Sequence, residues 1–191
     1  MFFHLEAFHD NAKQFCEIIS KLNFVDNTFG QEVKNFNHKP PELADALSHI
    51  LGRPLEHRED SGSYRKPFAF VHFENWTPKS AFAAAIALED TRFFTYRHKE
   101  KNIYNVLQIN EENFNMEEFV SANAENFDNW EVIANINLKQ GDLVVFQPWL
   151  WHSFEESKLI QIFHFNRKEQ SIIEVPENFE APSNIEPPAK L

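Results

Sequence analysis

From Tyr64 onward the sequence breaks into short apolar runs rich in Phe, Val and Ile, each bounded by polar or turn-forming residues and most of them too short for a helix. The runs are Phe68 to Phe73, Arg92 to Tyr96, Val132 to Leu138, Leu143 to Phe146, Leu159 to Phe165 and Ile172 to Val175, and each is expected to be a strand. Lys139-Gln140-Gly141-Asp142 reads as a tight turn, which predicts a hairpin over 131 to 146. Residues 82 to 88, Phe-Ala-Ala-Ala-Ile-Ala-Leu, favour helix by alanine propensity and strand by length; a strand is expected.

Ahead of that region the periodicity is helical. Phe8, Phe15, Ile19 and Leu22 share one face of a helix expected within 5 to 22. A second helix starts at Pro40-Pro41, carries the stripe Leu43, Leu47, Ile50 and Leu51, and stops at Gly52. A polar insertion from Asn110 to Phe127 holds a short helix, with Asn115 as N-cap and Glu118 as its capping-box partner. After Val175 the proline-rich tail, 176–191, has little to bury and is expected to be extended or disordered. The expected organisation is one domain over 1–175, with a helical N-terminal part over 1–54 and a β core over 64–175. Strands that follow helices without regular alternation argue for an α+β or mainly β fold: a jelly roll or cupin-like barrel with N-terminal helices.

Composition excludes several function classes. No apolar run reaches the roughly 20 residues that span a bilayer. The net charge of −11 repels nucleic-acid backbone and anionic lipid, which points to a small-molecule or protein substrate. The single cysteine, Cys16, cannot form an internal disulfide, and a reducing, cytoplasmic setting is expected. No Gly-rich phosphate loop, paired-Cys zinc knuckle or Gly-x-Ser-x-Gly elbow is present, and four glycines in all leave little to build a nucleotide loop. Nothing in the sequence fixes the oligomeric state.

The chemistry-bearing candidates are histidines with a carboxylate two places on. Residues two apart on an extended segment project to the same side, so both can reach one ion, and a distant second His completes a facial set of two imidazoles and one carboxylate. Four such pairs occur: His4/Glu6, His57/Glu59, His72/Glu74 and His98/Glu100. One or two are expected by chance, since acids are about 15% of the residues, so spacing does not choose among them. Position does, because His72 and Glu74 close an apolar run whereas His4 lies in a helical stretch and His57 in a charged loop. His98/Glu100, which also follows a predicted strand, is the rival, and solvated surface pairs are the bland alternative.

The distal half is more specific. Gly141-Asp142-Leu143-Val144-Val145-Phe146-Gln147-Pro148-Trp149-Leu150-Trp151-His152-Ser153 runs turn, strand and then a proline-broken segment that ends in His. Here the chain resembles the 2-oxoglutarate/iron(II)-dependent oxygenases, in particular their small bacterial and phage branch, whose distal stretch reads Gly-Asp-Leu-Val-Leu-Phe-Pro-x-x-x-x-His-Ser. The following strand of that group, Arg-Ile-Ser-Ile-x-Phe-x-Phe, is similar to Lys158 through Phe165, and His72-Phe73-Glu74, Trp76 and Phe93-Phe94-Thr95-Tyr96-Arg97-His98 resemble its upstream half. The resemblance spans roughly residues 64 to 166.

It implies a double-stranded β-helix that holds Fe(2+) through His72, Glu74 and His152, with Lys158 on the distal carboxylate of 2-oxoglutarate. It further implies a hydroxylase that couples oxidative decarboxylation of 2-oxoglutarate to oxidation of a substrate. Trp76, Tyr96, Trp149 and Trp151 are the candidate pocket walls, although alternating aromatics beside a strand are more often core. Departures are Glu74 for the commoner Asp, Lys158 for Arg with its fork of donors, Ile160 where relatives place a hydroxyl, and a short loop after His152. They keep two other readings open: a non-catalytic jelly-roll binding module, and a cupin-type metal enzyme that does not use 2-oxoglutarate.

Overall fold

The computed structural model describes residues 2–27, 30–33, 36–74, 79–109 and 114–168. The expected strand Ile172 to Val175, the tail 176–191 and Trp76 lie outside the described residues. Eleven strands and three α-helices are described, in the order β1 (Phe2–Leu5), α1 (Ala12–Ile19), β2 (Phe24–Asn27), β3 (Gly30–Val33), α2 (Pro41–Leu51), β4 (Leu55–His57), β5 (Ser63–Pro67), β6 (Ser80–Ala87), β7 (Thr91–His98), α3 (Met116–Asn123), β8 (Trp130–Leu138), β9 (Leu143–Phe146), β10 (His152–Phe154) and β11 (Ile160–Arg167). All strand pairs are antiparallel. A large sheet runs β1-β9-β6-β11-β5-β3-β2, with β4 also on β11, and a small sheet runs β10-β7-β8. The arrangement is jelly-roll-like.

Strand β6 shows why an alanine-rich run folds as a strand here. It is central in the large sheet and buried on both faces. One face, Ala83, Ala85 and Ala87, joins Val144, Phe146, Ile160 and Ile162 against Phe93, Leu138 and Phe154 of the small sheet. Small side chains there leave the space that the rings of Phe93, Phe146 and Phe154 fill, with Phe93 centred 5.0 Å from each of the other two. The opposite face, Phe82, Ala84 and Ile86, packs with Tyr64, Phe163 and Phe165 against Leu43, Ala44 and Leu47 of α2 and against Ala12 and Ile19 of α1. Burial on both faces overrides alanine's helix propensity.

Helix α2 follows its sequence signals: Pro41 sits in the first turn, and Gly52 ends it at φ 64 with its N–H on His49 and the Arg53 N–H on Ser48. Ile50, assigned to the stripe, is 50% exposed. Helix α3 carries the expected cap, the Glu118 N–H donating to Asn115 Oδ1 at 3.1 Å. The first helix is shorter than its periodicity predicts, because Phe2–Leu5 is recruited as β1 along β9, Phe2 opposite Phe146 and Leu5 opposite Leu143. With β1, β2 and β3 woven around the two helices, residues 1–54 do not form the purely helical part expected.

Two further expectations are corrected. The 131–146 hairpin does not form: β8 pairs with β7, whereas β9 pairs with β6 and β1, so the Lys139–Asp142 turn carries the chain from one sheet to the other. The corner is tied by Asp142, whose carboxylate accepts from the Ala7 and Lys139 N–H groups at 2.9 and 2.8 Å and contacts His4 Nε2 at 2.9 Å. Gly141, at φ 95, is required there because a Cβ would meet the His9 carbonyl at 2.8 Å. Residues 68 to 73 are not a strand: the chain bends at Ala69 and Phe70, and His72 makes an isolated bridge to His152. Its backbone groups are taken singly, Val71 N–H by Ala124, His72 N–H by His152 and Glu74 N–H by Pro148.

Candidate metal centre

That isolated bridge builds the site. The N–H of each of His72 and His152 donates to the carbonyl of the other at 2.9 Å, which sets the two imidazoles side by side with ring centres 4.5 Å apart. Glu74 follows two residues after His72, on the same side, and Phe73 between them turns away to meet the edge of Trp151 at 5.3 Å. Glu74 Oε1 then lies 3.6 Å from Nε2 of both His72 and His152. The ligand atoms of the three residues all fall within 4.8 Å of one another, and all three side chains are buried.

Hydrogen bonding defines what those atoms present. His152 Nδ1 lies 2.8 Å from the Leu150 carbonyl and His72 Nδ1 lies 3.3 Å from the Phe70 carbonyl. A carbonyl only accepts, so each Nδ1 carries the ring proton and each Nε2 turns a lone pair toward Glu74. His152 Nε2 is buried without a hydrogen-bond partner among the described residues. Burial, and then the neighbouring His72, push the His152 imidazole below its ordinary pKa against the opposing pull of Glu74, so the ring stays in the neutral, ligating form. Burial alone would raise the Glu74 carboxyl, but the Arg65 guanidinium and the hydrogen bond from His164 outweigh it and hold the group below the usual carboxylate range. Two lone pairs and an anionic oxygen thus converge, the donor set that a divalent cation would satisfy.

The donor set fits one divalent ion. Ligands about 2.1 Å from an ion stand about 3.0 Å apart at cis octahedral positions and about 3.4 Å apart on a tetrahedron, so the two 3.6 Å separations from Glu74 Oε1 need only a small contraction, and the third lies within 4.8 Å. Two imidazoles and one carboxylate on a single side leave further coordination positions open, the pattern of non-haem iron(II) sites.

The chain shares its fold with HygX. The structure of HygX from Streptomyces hygroscopicus with nickel, 2-oxoglutarate and hygromycin B bound matches with a TM-score of 0.53 and 12% identity, over 87% of this chain and 82% of that one. SnoN, a non-haem α-ketoglutarate-dependent epimerase from nogalamycin biosynthesis, matches with a TM-score of 0.49 and 13% identity, over 87% of this chain and 78% of that one. At 12% identity the likeness to HygX is one of fold. No protein-family profile matches the chain, and no curated protein matches it in sequence.

The remaining sequence candidates divide. The His98 ring is spoken for, Nε2 by Asn123 Oδ1 at 3.0 Å and Nδ1 by the Lys101 N–H at 3.2 Å, and Glu100 is exposed. Lys158 lies in the loop ahead of β11. Its charge acts on Asp90, in the bend between β6 and β7. Trp151 is fully buried among Phe73, Phe119 and Trp130, so it is core, and Trp149 packs against the same group. Tyr96 lines a cavity of about 500 Å³ together with Phe2, Thr95, Tyr104, Gln147 and Leu150, and Thr95 pairs directly with His152 across β7 and β10.

Two residues of the cluster escaped the sequence reading. Arg65 of β5 donates from a guanidinium N–H to Glu74 Oε2 at 3.1 Å, and the His164 Nε2–H of β11 donates to the same oxygen at 2.9 Å. The sequence does hold a signal: Ile160 and Ile162 face the inter-sheet core, so His164 at the next even position brings a polar ring to that face, and Arg65 alternates with the outward-packed Tyr64. What the sequence lacks is the reach of β5 and β11 to one carboxylate.

Among the described residues no helix is long and apolar enough to cross a membrane.

Proposed function

We propose that this chain is an iron(II)- and 2-oxoglutarate-dependent oxygenase, a hydroxylase of a small molecule or protein side chain, built on a double-stranded β-helix with helices on the outer face of its large sheet. The observation that carries the reading is the convergence of His72 Nε2, Glu74 Oε1 and His152 Nε2, the last of these buried and without a hydrogen-bond partner among the described residues. A bound iron(II) supplies the means to activate oxygen at the expense of 2-oxoglutarate. The chain's residues hold and shield it. His72, Glu74 and His152 fix the ion from one side, the Leu150 and Phe70 carbonyls keep both imidazoles in the ligating tautomer, and the inter-sheet core excludes water from beneath. The cavity beside Thr95 and Tyr96 is the substrate pocket in this reading, and its lining of aromatic and uncharged polar side chains suits a neutral small molecule. HygX, of the same fold, is known with 2-oxoglutarate and a small molecule, hygromycin B, bound.

The family resemblance of the sequence puts Lys158 on the distal carboxylate of 2-oxoglutarate. Lys158 acts on Asp90 in the bend between β6 and β7, and the buried Arg65 guanidinium is already engaged by the Glu74 carboxylate. That engagement of Arg65 also favours a second reading, a metal enzyme of cupin type that works without 2-oxoglutarate. Calorimetric titration of 2-oxoglutarate into the manganese-loaded protein separates the two, since only the first predicts binding. Succinate release with iron(II) in wild type and His152→Ala then tests the metal set, and equal release from both would remove His152 from the mechanism.

A further inference from the structure

Glutamate poses a problem at a facial metal site that aspartate does not. Its extra methylene lets the carboxylate swing, and a carboxylate that swings can offer both oxygens to an ion. Two donors here oppose that swing. Oε2 accepts from His164 Nε2–H at 2.9 Å and from the Arg65 guanidinium at 3.1 Å, while Oε1 alone faces His72 and His152. The two donors come from different strands, β11 and β5, each anchored in the large sheet and each buried. The His164 backbone is itself tied down, its carbonyl accepting from the Arg58 N–H at 2.9 Å and its N–H donating to Ser61 Oγ at 3.1 Å. Because a carboxylate accepts, the His164 proton sits on Nε2, and this ring serves as a donor to Glu74 and not as another ligand.

We infer that His164 and Arg65 form a clamp that holds Glu74 in one-oxygen contact with the ion, so that a glutamate occupies a single coordination position. The inference rests on the metal reading above and deepens it. A six-coordinate ion held by two imidazoles and one carboxylate oxygen keeps three exchangeable positions, whereas a carboxylate bound through both oxygens leaves two. The clamp therefore decides how many positions remain for a chelating cosubstrate and oxygen. His164 and Arg65 are positioning residues, acting through Glu74.

The test counts waters on manganese(II), the probe metal, from the broadening of its paramagnetic resonance in water enriched in oxygen-17. Wild type should show three waters. His164→Asn, whose amide is too short to reach Oε2, should show two and bind manganese(II) about 10- to 100-fold more weakly. His164→Gln places an N–H donor at the height of Nε2 and should restore both the count and the affinity. Arg65→Met, which removes the other donor, should also lower the count. Three waters in both His164→Asn and Arg65→Met would overturn the clamp while leaving the metal site standing. A wild type that binds no manganese(II) would remove the metal reading and the clamp with it. Rescue by Gln but not Asn separates positioning from a general loss of packing, which would affect the two amides alike.

Discussion

The buried Arg65–Glu74 pair lends itself to a quantitative test in the metal-free protein. Arg65 is 8% exposed and Glu74 2%, so Arg65→Met leaves a buried carboxylate with His164 as its one remaining strong donor among the described residues. Breaking a buried pair from one side costs about 3 to 5 kcal/mol when the remaining charge persists. The carboxyl has an escape, which is to take up a proton. Neutralising a glutamate whose unfolded pKa is about 4.3 costs about 3.7 kcal/mol at pH 7, about 2.3 at pH 6 and about 1.0 at pH 5. The sign follows from linkage: in the variant the folded carboxyl is raised above its unfolded value, so the folded state binds the extra proton and regains stability as pH falls from 7 toward 5. Wild type behaves oppositely, its depressed Glu74 being ionised throughout that range. Lost contact with Glu32, 3.5 Å from Arg65 Nε and partly exposed, adds only about 0 to 1 kcal/mol. Urea denaturation of chelator-treated wild type and Arg65→Met at pH 5, 6 and 7 measures the difference. A penalty below about 1 kcal/mol at pH 7, or one that is equal at pH 5 and 7, would refute a charged, guanidinium-dependent Glu74.

Three other substitutions probe separate parts of the molecule. Lys158→Ala should leave the affinity for 2-oxoglutarate of the manganese-loaded protein unchanged within about twofold, read by calorimetry, because its charge acts on Asp90 in the bend between β6 and β7; a tenfold loss would return the carboxylate to Lys158. Trp151→Ala should lower stability by about 3 to 5 kcal/mol, as measured by denaturation, for the ring is fully buried core; a stable variant with altered substrate selectivity would make it a pocket wall instead. Asp142→Asn should cost about 1 to 3 kcal/mol at neutral pH and flatten the acid limb of the stability profile. Burial opposes ionisation of Asp142, but the Ala7 and Lys139 N–H groups and then His4 outweigh it and lower its pKa, so its contribution is present above the unfolded value near 3.9 and lost as pH falls through the folded one. An unchanged acid limb would show that the corner does not depend on this charge.

Local chemistry was written in the sequence wherever it is decided by neighbours along the chain. The caps of α2 and α3, the strands β7, β9 and β11, and the pairing of His72 with Glu74 by a two-residue step all follow from spacing and propensity. Partners distant in sequence were not legible. That β8 leaves β9 for β7, that Phe2–Leu5 becomes an edge strand and that 68–73 bends are outcomes of which sheet edge and which backbone donor lies nearby once the chain is packed. The same division runs through the cluster: spacing offered four histidine–acid pairs, and only the bridge between His72 and His152 selects one of them. Arg65 and His164 become functional candidates because strands 99 residues apart in the chain both reach Oε2 of Glu74. A one-dimensional pattern encodes which way a side chain points from its own strand; which atom it meets is set by how the sheets stack.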